Sequence, residues 1–292
     1  MEVSFTAMVR RICLGLTEAM GKQQNELTLV TGGTGKTGSR VAERLHNLGH
    51  PVRIGSRSGT PAFSWEDPNT WEAALEGVGN LYVCYYPDLA FPGADETVGQ
   101  LSRLAVEKGV RRIVVLSGRG EEGALAAERK VQESGAETTV VRCSWFNQNF
   151  SESFFLEPVL AGDLALPTGD AVEPFVDADD IADVAVAALT DSRHVGEVYE
   201  LTGPRLLSFS DIATELSQAI GREVRYTKIS EEEFANFLKQ NDLPLELGEL
   251  FTLVLDGRNA SLTDGVQRAL GREPKDFGVF AREAAAAGAW DA

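Results

Sequence analysis

Two rhythms of apolar residues alternate along this chain. Short unbroken runs read as buried strands, and stretches with apolar residues every third or fourth position read as helices with one buried face. Leu27–Val30 is the first strand. Lys36–Gly49 follows as a helix, with Val41, Ala42, Leu45 and Leu48 on its inner face. Pro51–Ser56 and Ala62–Trp65 read as the second and third strands, and Asn69–Glu76 as a short helix. Leu81–Tyr86 is a strand that stops at Pro87, and Ala94–Lys108 is a helix with Val98, Leu101, Leu104 and Ala105 inward. Arg112–Ser117, Gly123–Ser134 and Thr138–Arg142 repeat strand, helix and strand. This alternation predicts an α/β fold built on a doubly wound parallel sheet.

Beyond Arg142 the pattern loosens. Trp145–Gly162 is aromatic and partly helical, Val176–Leu189 is a helix, and Glu197–Thr202 is a strand. Ser208–Ile220 has the look of a capping box, with Ser208 or Ser210 and then Asp211 in its first turn. Glu223–Ile229 reads as a strand, Ser230 caps a helix over Glu231–Gln240, and the remainder to Trp290 is mostly helical. The expected organisation has three parts. Residues 1–24 form an extension outside the fold, residues 25–143 a nucleotide-binding core, and residues 144–292 a mixed region. Within the last, residues 174–202 complete the core, while 144–172 and 203–292 build a small C-terminal substrate lobe. In the extension, Arg10 and Arg11 precede an apolar patch, Ile12–Leu16, that is too short to span a membrane. Met20 stands as a plausible natural initiator there.

Composition narrows the function. A chain of 292 residues with 43% hydrophobic content has ample core, and its net charge of −17 argues against a broad nucleic-acid face and against anionic membranes. Cys13, Cys84 and Cys143 form no CxxC pair, which points to a reducing cytoplasm. His46, His50 and His194 share no metal-ligand spacing with them, so no metal is expected.

The chemistry concentrates in Thr31–Gly38, TGGTGKTG. Gly35-Lys36-Thr37 resembles the tail of an ATP-binding loop, but the glycine that such a loop needs five residues earlier is Val30, inside the strand. Gly32, Gly35 and Gly38 instead suit a dinucleotide loop in a Rossmann-like unit, where backbone N–H groups at a helix start meet a pyrophosphate. Thr34, Lys36 and Thr37 belong to the same loop. After the second strand stands Ile54-Gly55-Ser56-Arg57-Ser58, without the acidic residue that binds a ribose 2′-OH. Arg57 matches a 2′-phosphate in fork geometry, and Ser58 adds a hydroxyl, so NADP(H) is favoured over NAD(H). Ligands of such sheets lie beyond the carboxyl ends of the strands. That rule adds Ser64, Tyr86, Pro87, Ser117 and Cys143 to the cofactor candidates. Trp145, Phe146, Asn149 and Phe150 read either as a flat acceptor pocket or as the packing seam between the two lobes.

These segments, with VRCSWFNQNF, PFVDADDIADVAVAALTD, ELTGPRLLSFSDIA and the tail GREPKDFGVFAREAAAAGAW, resemble the NmrA-like atypical short-chain dehydrogenase/reductase family. The branch most similar contains the festuclavine and agroclavine dehydrogenases and their bacterial relatives. The resemblance covers about residues 27 to 290. It implies a Rossmann fold that binds NADP(H), a C-terminal substrate lobe, and either reduction of iminium ions, quinones or dyes or a regulatory role without turnover. It puts the glycine-loop positions on Gly32, Gly35 and Gly38 and the 2′-phosphate arginine on Arg57. Many relatives carry aspartate where Ser64 stands near the adenine, and proline where Cys143 stands near the nicotinamide. The wider superfamily uses a Tyr-x-x-x-Lys pair, but Glu121–Ser134 contains no tyrosine, and Ala126 lies four residues before Lys130. Reduction of a ketone needs a positioned acid at the developing alkoxide, whereas an iminium carbon needs only hydride. No side chain is therefore assigned as catalytic. The expected function is NADPH-dependent hydride transfer to an electron-poor, flat small molecule; a non-catalytic NADP sensor acting through a protein partner is the alternative.

Overall fold

The computed structural model describes residues 26–240, 248, 251 and 255–291. The expected extension at residues 1–24 and part of the tail after Gln240 lie outside these.

The core alternates strands and helices. They are β1 (Leu27–Thr31), α1 (Lys36–Asn47), β2 (Val52–Gly55), α2 (Trp71–Leu75), β3 (Val78–Val83), α3 (Ala94–Glu107), β4 (Arg112–Gly118), α4 (Glu122–Gln132) and β5 (Glu137–Cys143). Next come α5 (Leu156–Ala161), β6 (Asp163–Leu166) and β7 (Val172–Glu173). The chain returns to the core for α6 (Ala178–Thr190) and β8 (Val198–Leu201). It ends with β9 (Leu207–Ser208), α7 (Phe209–Ile220), β10 (Arg225–Lys228), α8 (Glu231–Gln240), α9 (Gly265–Leu270) and α10 (Phe277–Ala286).

Six strands form one parallel sheet in the order β2-β1-β3-β4-β5-β8. A parallel sheet requires crossovers, and these bury both faces. Leu29, Leu81, Val83, Ile113, Val115 and Val140 pack on one face with α3 and α4. Val30, Tyr82, Val114 and Val141 pack on the other with α1 and α6. Two small sheets, β10-β6 and β7-β9, lie outside the main one. A third cluster of buried residues, rich in phenylalanine, joins α5, β6, α7, α8 and α10.

Residues 62–65 do not form the expected third strand. Their alternation comes from anchoring rather than pairing: Phe63 is buried, and its ring meets Trp65 edge-on at 5.0 Å. The backbone bonds go to turns. Phe63 N–H donates to Ser56 O at 2.9 Å, and the Trp71 indole donates to Ser64 O at 2.7 Å. β2 is therefore an edge of the sheet. The strand expected over Leu81–Tyr86 lies earlier, at Val78–Val83, because Cys84 N–H leaves the ladder and donates to Thr31 Oγ1 at 2.9 Å. The capping boxes at Ser208 and Ser230 form as their spacing requires, with Asp211 and Glu233 returning the bond.

Candidate active site

The strand order reverses between β1 and β3, and the crevice beyond their carboxyl ends is where this architecture binds ligands. The glycine loop sits there. Gly32 holds φ +60°, a conformation that disfavours side chains. A Cβ on Gly38 would stand 2.2 Å from Gly32 O, so only glycine lets α1 start this close to the turn. Thr34 and Gly35 are exposed, whereas Thr37 is buried with its hydroxyl on Cys84 Sγ at 3.8 Å. Gly35 is the N-cap of α1 and supplies no side-chain cap, and the first turn carries no acid. Uncapped N–H groups at the positive end of a twelve-residue helix fit a pyrophosphate.

Arg57 and Ser58 are exposed just beyond β2, and Ser58 Oγ lies 3.5 Å from Ser56 Oγ. No acidic side chain is paired with Arg57 among the described residues. Lys36 differs from Arg57 because it is partly enclosed. Its ammonium lies 6.0 Å from the centre of the Phe154 ring, and burial lowers its pKa while Glu152 opposes the shift. Arg40 pairs with Glu152 at 2.5 Å, which ties the segment after the short 3₁₀ turn Asn147–Phe150 to α1.

Several expected site residues already have structural partners. Ser64 Oγ accepts from Glu66 N–H at 3.2 Å. Ser117 Oγ donates to Glu128 Oε1 at 2.6 Å, and Glu128 is in turn held by Arg142 at 2.6 Å. Glu128 is thus buried in a polar cluster between β4, α4 and β5. Lys130 points to the outer surface, 3.7 Å from Glu96 on α3. Tyr86 and Pro87 are exposed after β3, while Tyr85 packs on Trp65 at 4.9 Å. Cys143 is buried at the end of β5, and burial pushes its thiol pKa well up, which keeps it protonated and poorly nucleophilic.

The aromatic run divides. Trp145 keeps 8% exposure and stacks on Phe155 at 6.0 Å, with Phe251 at 5.4 Å. Phe146 is partly buried and packs on the α1/α6 face. Asn149 is buried, and its carbonyl accepts from Phe155 N–H at 3.2 Å. Phe150 is fully enclosed by Phe155, Phe175, Phe209 and Phe277, and its carbonyl accepts from the Trp290 indole at 2.9 Å. Phe150 therefore belongs to the packing seam and has no face open to an acceptor.

Three carboxyls beside the loop after β4 were not singled out from the sequence. Glu121 Oε2 is sealed from water with no hydrogen-bond partner, and burial, reinforced by Asp88, raises this carboxyl to about 7. Asp88 is itself raised by burial, against the N–H of Ala90. Both oxygens of Glu173 are buried without partners. Burial lifts Glu173 to about 7, with Arg119 opposing and Asp256 adding to the shift. Arg119 spends its guanidinium elsewhere, on Ser144 Oγ, Ser261 Oγ and Glu200. No periodicity marks these acids, which lie far apart in sequence and are brought near the loop after β4 only by the fold. Among the described residues, no group of three His, Cys, Asp or Glu could hold a metal, and no helix is long and apolar enough to cross a membrane.

Comparison with known proteins matches this architecture. The NAD(P)H azoreductase of Xenophilus azovorans is 31% identical over 287 residues, 89% of this chain and 99% of its own length. The agroclavine dehydrogenase of Claviceps fusiformis is 30% identical over 275 residues, 86% of this chain and 95% of its own length. The crystal structure of an NADPH-dependent quinone oxidoreductase from Escherichia coli, complexed with NADPH, superposes with a TM-score of 0.73 at 20% identity. That match covers 88% of this chain and 99% of the other. Residues 125–276 match the NmrA-like family directly, and with relatives this similar along nearly the whole length, the chain belongs to the NmrA-like family.

Proposed function

We propose that this protein is an NADPH-dependent oxidoreductase that passes hydride to an electron-poor, flat small molecule such as an iminium ion or a quinone. The observation that carries the reading is the open glycine cradle at the strand reversal, with an unpaired arginine one strand away. Gly32, Gly35 and Gly38 would let the backbone approach the pyrophosphate, and the first turn of α1 would bind its oxygens. Arg57 and Ser58 would hold the 2′-phosphate, and no acid at the end of β2 opposes it. The cofactor supplies the hydride when bound. With adenosine at β2 and pyrophosphate at β1, the reactive half falls over the ends of β3, β4 and β5. There Tyr86, Pro87, Gly118 and Cys143, at or just beyond these strand ends, would border the crevice, with Trp145 beside them. The named azoreductase and clavine dehydrogenase relatives support redox chemistry on flat, conjugated or nitrogen-containing molecules.

The absence of a Tyr-Lys pair fits this acceptor class. α4 has no tyrosine, and Lys130 faces Glu96 on the outer side. An acceptor that is already cationic takes hydride without needing a proton at an oxyanion, so orientation supplies most of the rate. The test is NADPH oxidation followed against quinones, cyclic iminium ions and aldehydes, beside a direct NADPH-binding titration. Turnover with the first two, and little with simple aldehydes, is expected. Tight NADPH binding with no turnover on any acceptor would replace this reading with that of a redox sensor.

A further inference from the structure

Glu121 has a placement that hydride transfer to a cation would leave without a use. It is the N-cap residue of α4, yet its side chain caps no backbone N–H. The carboxyl instead folds back over Gly118, the last residue of β4. A Cβ at Gly118 would stand 2.4 Å from Glu121 Oε2 and 2.8 Å from Cδ, so the carboxyl can lie there only because residue 118 is glycine. Gly123 adds a second close approach: its Cβ would stand 2.2 Å from Ala90 O, which fixes the start of α4 against the turn after β3. The end of β4 thus carries this carboxyl, Asp88 from the turn after β3 acts on it, and one of its oxygens has no partner.

We infer that Glu121 is the proton donor to acceptors that are neutral before reduction. The inference rests on the reductase reading above and supplies the proton that its neutral acceptors, such as quinones, take up. Hydride adds to an electrophilic atom of a quinone or azo compound, and the π-electron pair shifts through the conjugated system onto an oxygen of the quinone or the second nitrogen of the azo group. That atom takes the Glu121 proton, the carboxylate remains, and solvent returns the proton after release. A cationic acceptor is neutralised by hydride alone and has no use for the step.

The surroundings keep the acid form available near neutral pH. Asp88 faces the carboxyl from the loop after β3 and disfavours a second negative charge. Arg119, two residues before it, is turned away to Ser144, Ser261 and Glu200. Arg258, from the segment packed on Gly120, is held by Asp256 at 2.7 Å and by Gly120 O at 3.0 Å. Neither cation is therefore committed to Glu121, and burial decides its titration, with a midpoint of about 7.

The experiment compares one quinone with one triarylmethane cation as acceptors, in wild type and Glu121→Gln. The ratio of kcat for the quinone to kcat for the cation should fall by about 10²-fold or more in the variant, the usual contribution of a general acid. In wild type, kcat for the quinone should decline as pH rises through about 7, and the decline should be absent for the cation. Gly118→Ala, which displaces the carboxyl without removing it, should lower the same ratio. An independent readout is carbon-13 NMR of labelled glutamate carboxyls in the protein without added acceptor. The signal lost in Glu121→Gln should titrate near 7. Equal losses for both acceptors, or a midpoint in the ordinary carboxylate range, would overturn the role of Glu121 while leaving the reductase reading intact. A wild type that oxidises NADPH with neither acceptor would overturn the reductase reading itself.

Discussion

Replacing Glu173 by glutamine should stabilise the protein at pH 8 relative to pH 5. Glu173 is 1% exposed, and both of its oxygens are sealed from water without a partner. A buried carboxyl in that state resists ionisation, and its midpoint rises from 4.5 to about 7. The sign follows from proton linkage. Between these two values the folded protein holds a proton that the unfolded chain has lost, so stability falls as pH rises through this window. Below 4.5 both states are protonated and the penalty vanishes. Above 7 the penalty is complete, and at 1.36 kcal/mol per unit it reaches about 3 kcal/mol. Glutamine keeps the shape and the unmet polar atoms but cannot ionise. The difference in unfolding free energy between Glu173→Gln and wild type should therefore shift by about 2.5 kcal/mol in favour of the variant from pH 5 to pH 8. Urea unfolding at the two pH values measures this directly. Glu121 titrates in the same range, but it is present in both proteins and cancels in the comparison. A difference that does not move with pH would mean that Glu173 ionises freely when folded, and would refute the burial argument.

Other outcomes follow from the site. Arg57→Ala should lose about 1.5–3 kcal/mol of NADPH affinity, the range for hydrogen bonds to charged groups, while NADH affinity changes little; equal loss for both would make Arg57 a structural residue. Gly35→Val should abolish cofactor binding in a folded protein, because Gly35 is exposed at the start of α1 and a branched side chain would fill the pyrophosphate space; calorimetric titration beside a circular dichroism spectrum checks both parts. Lys130→Ala should change the rate of hydride transfer by less than about tenfold, since a general acid contributes about 10²-fold or more and Lys130 faces Glu96 outside the crevice; single-turnover NADPH oxidation decides it. Phe150→Ala should cost about 3–5 kcal/mol of stability, the range for emptying a buried aromatic site, measured by denaturant unfolding.

The sequence by itself determined the parts whose signals are local. A glycine loop between an apolar run and an amphipathic helix defines β1, α1 and their turn, because backbone approach and helix period depend on near neighbours. The exposed place of Arg57 just beyond β2 was legible for the same reason. The capping boxes at Ser208 and Ser230 likewise close within four residues. Pattern alone misled at residues 62–65, where Phe63 and Trp65 alternate like a strand but anchor a turn through Ser56, Thr70 and Trp71. It also could not separate Trp145, at the edge of the lobe, from Phe150, fully inside it, because adjacent aromatics have the same composition wherever they point.

The carboxyls depended wholly on tertiary structure. Nothing in Glu121 or Glu173 as sequence positions sets them apart from the many other acids of this chain. What distinguishes them is desolvation, and desolvation is produced by segments distant in sequence: the turn at Asp88 and Ala90 against α4, and the Arg119 and Asp256 surroundings of β7. A local pattern can state that an acid is present. Whether it holds a proton at neutral pH is decided by what the folded chain puts around it.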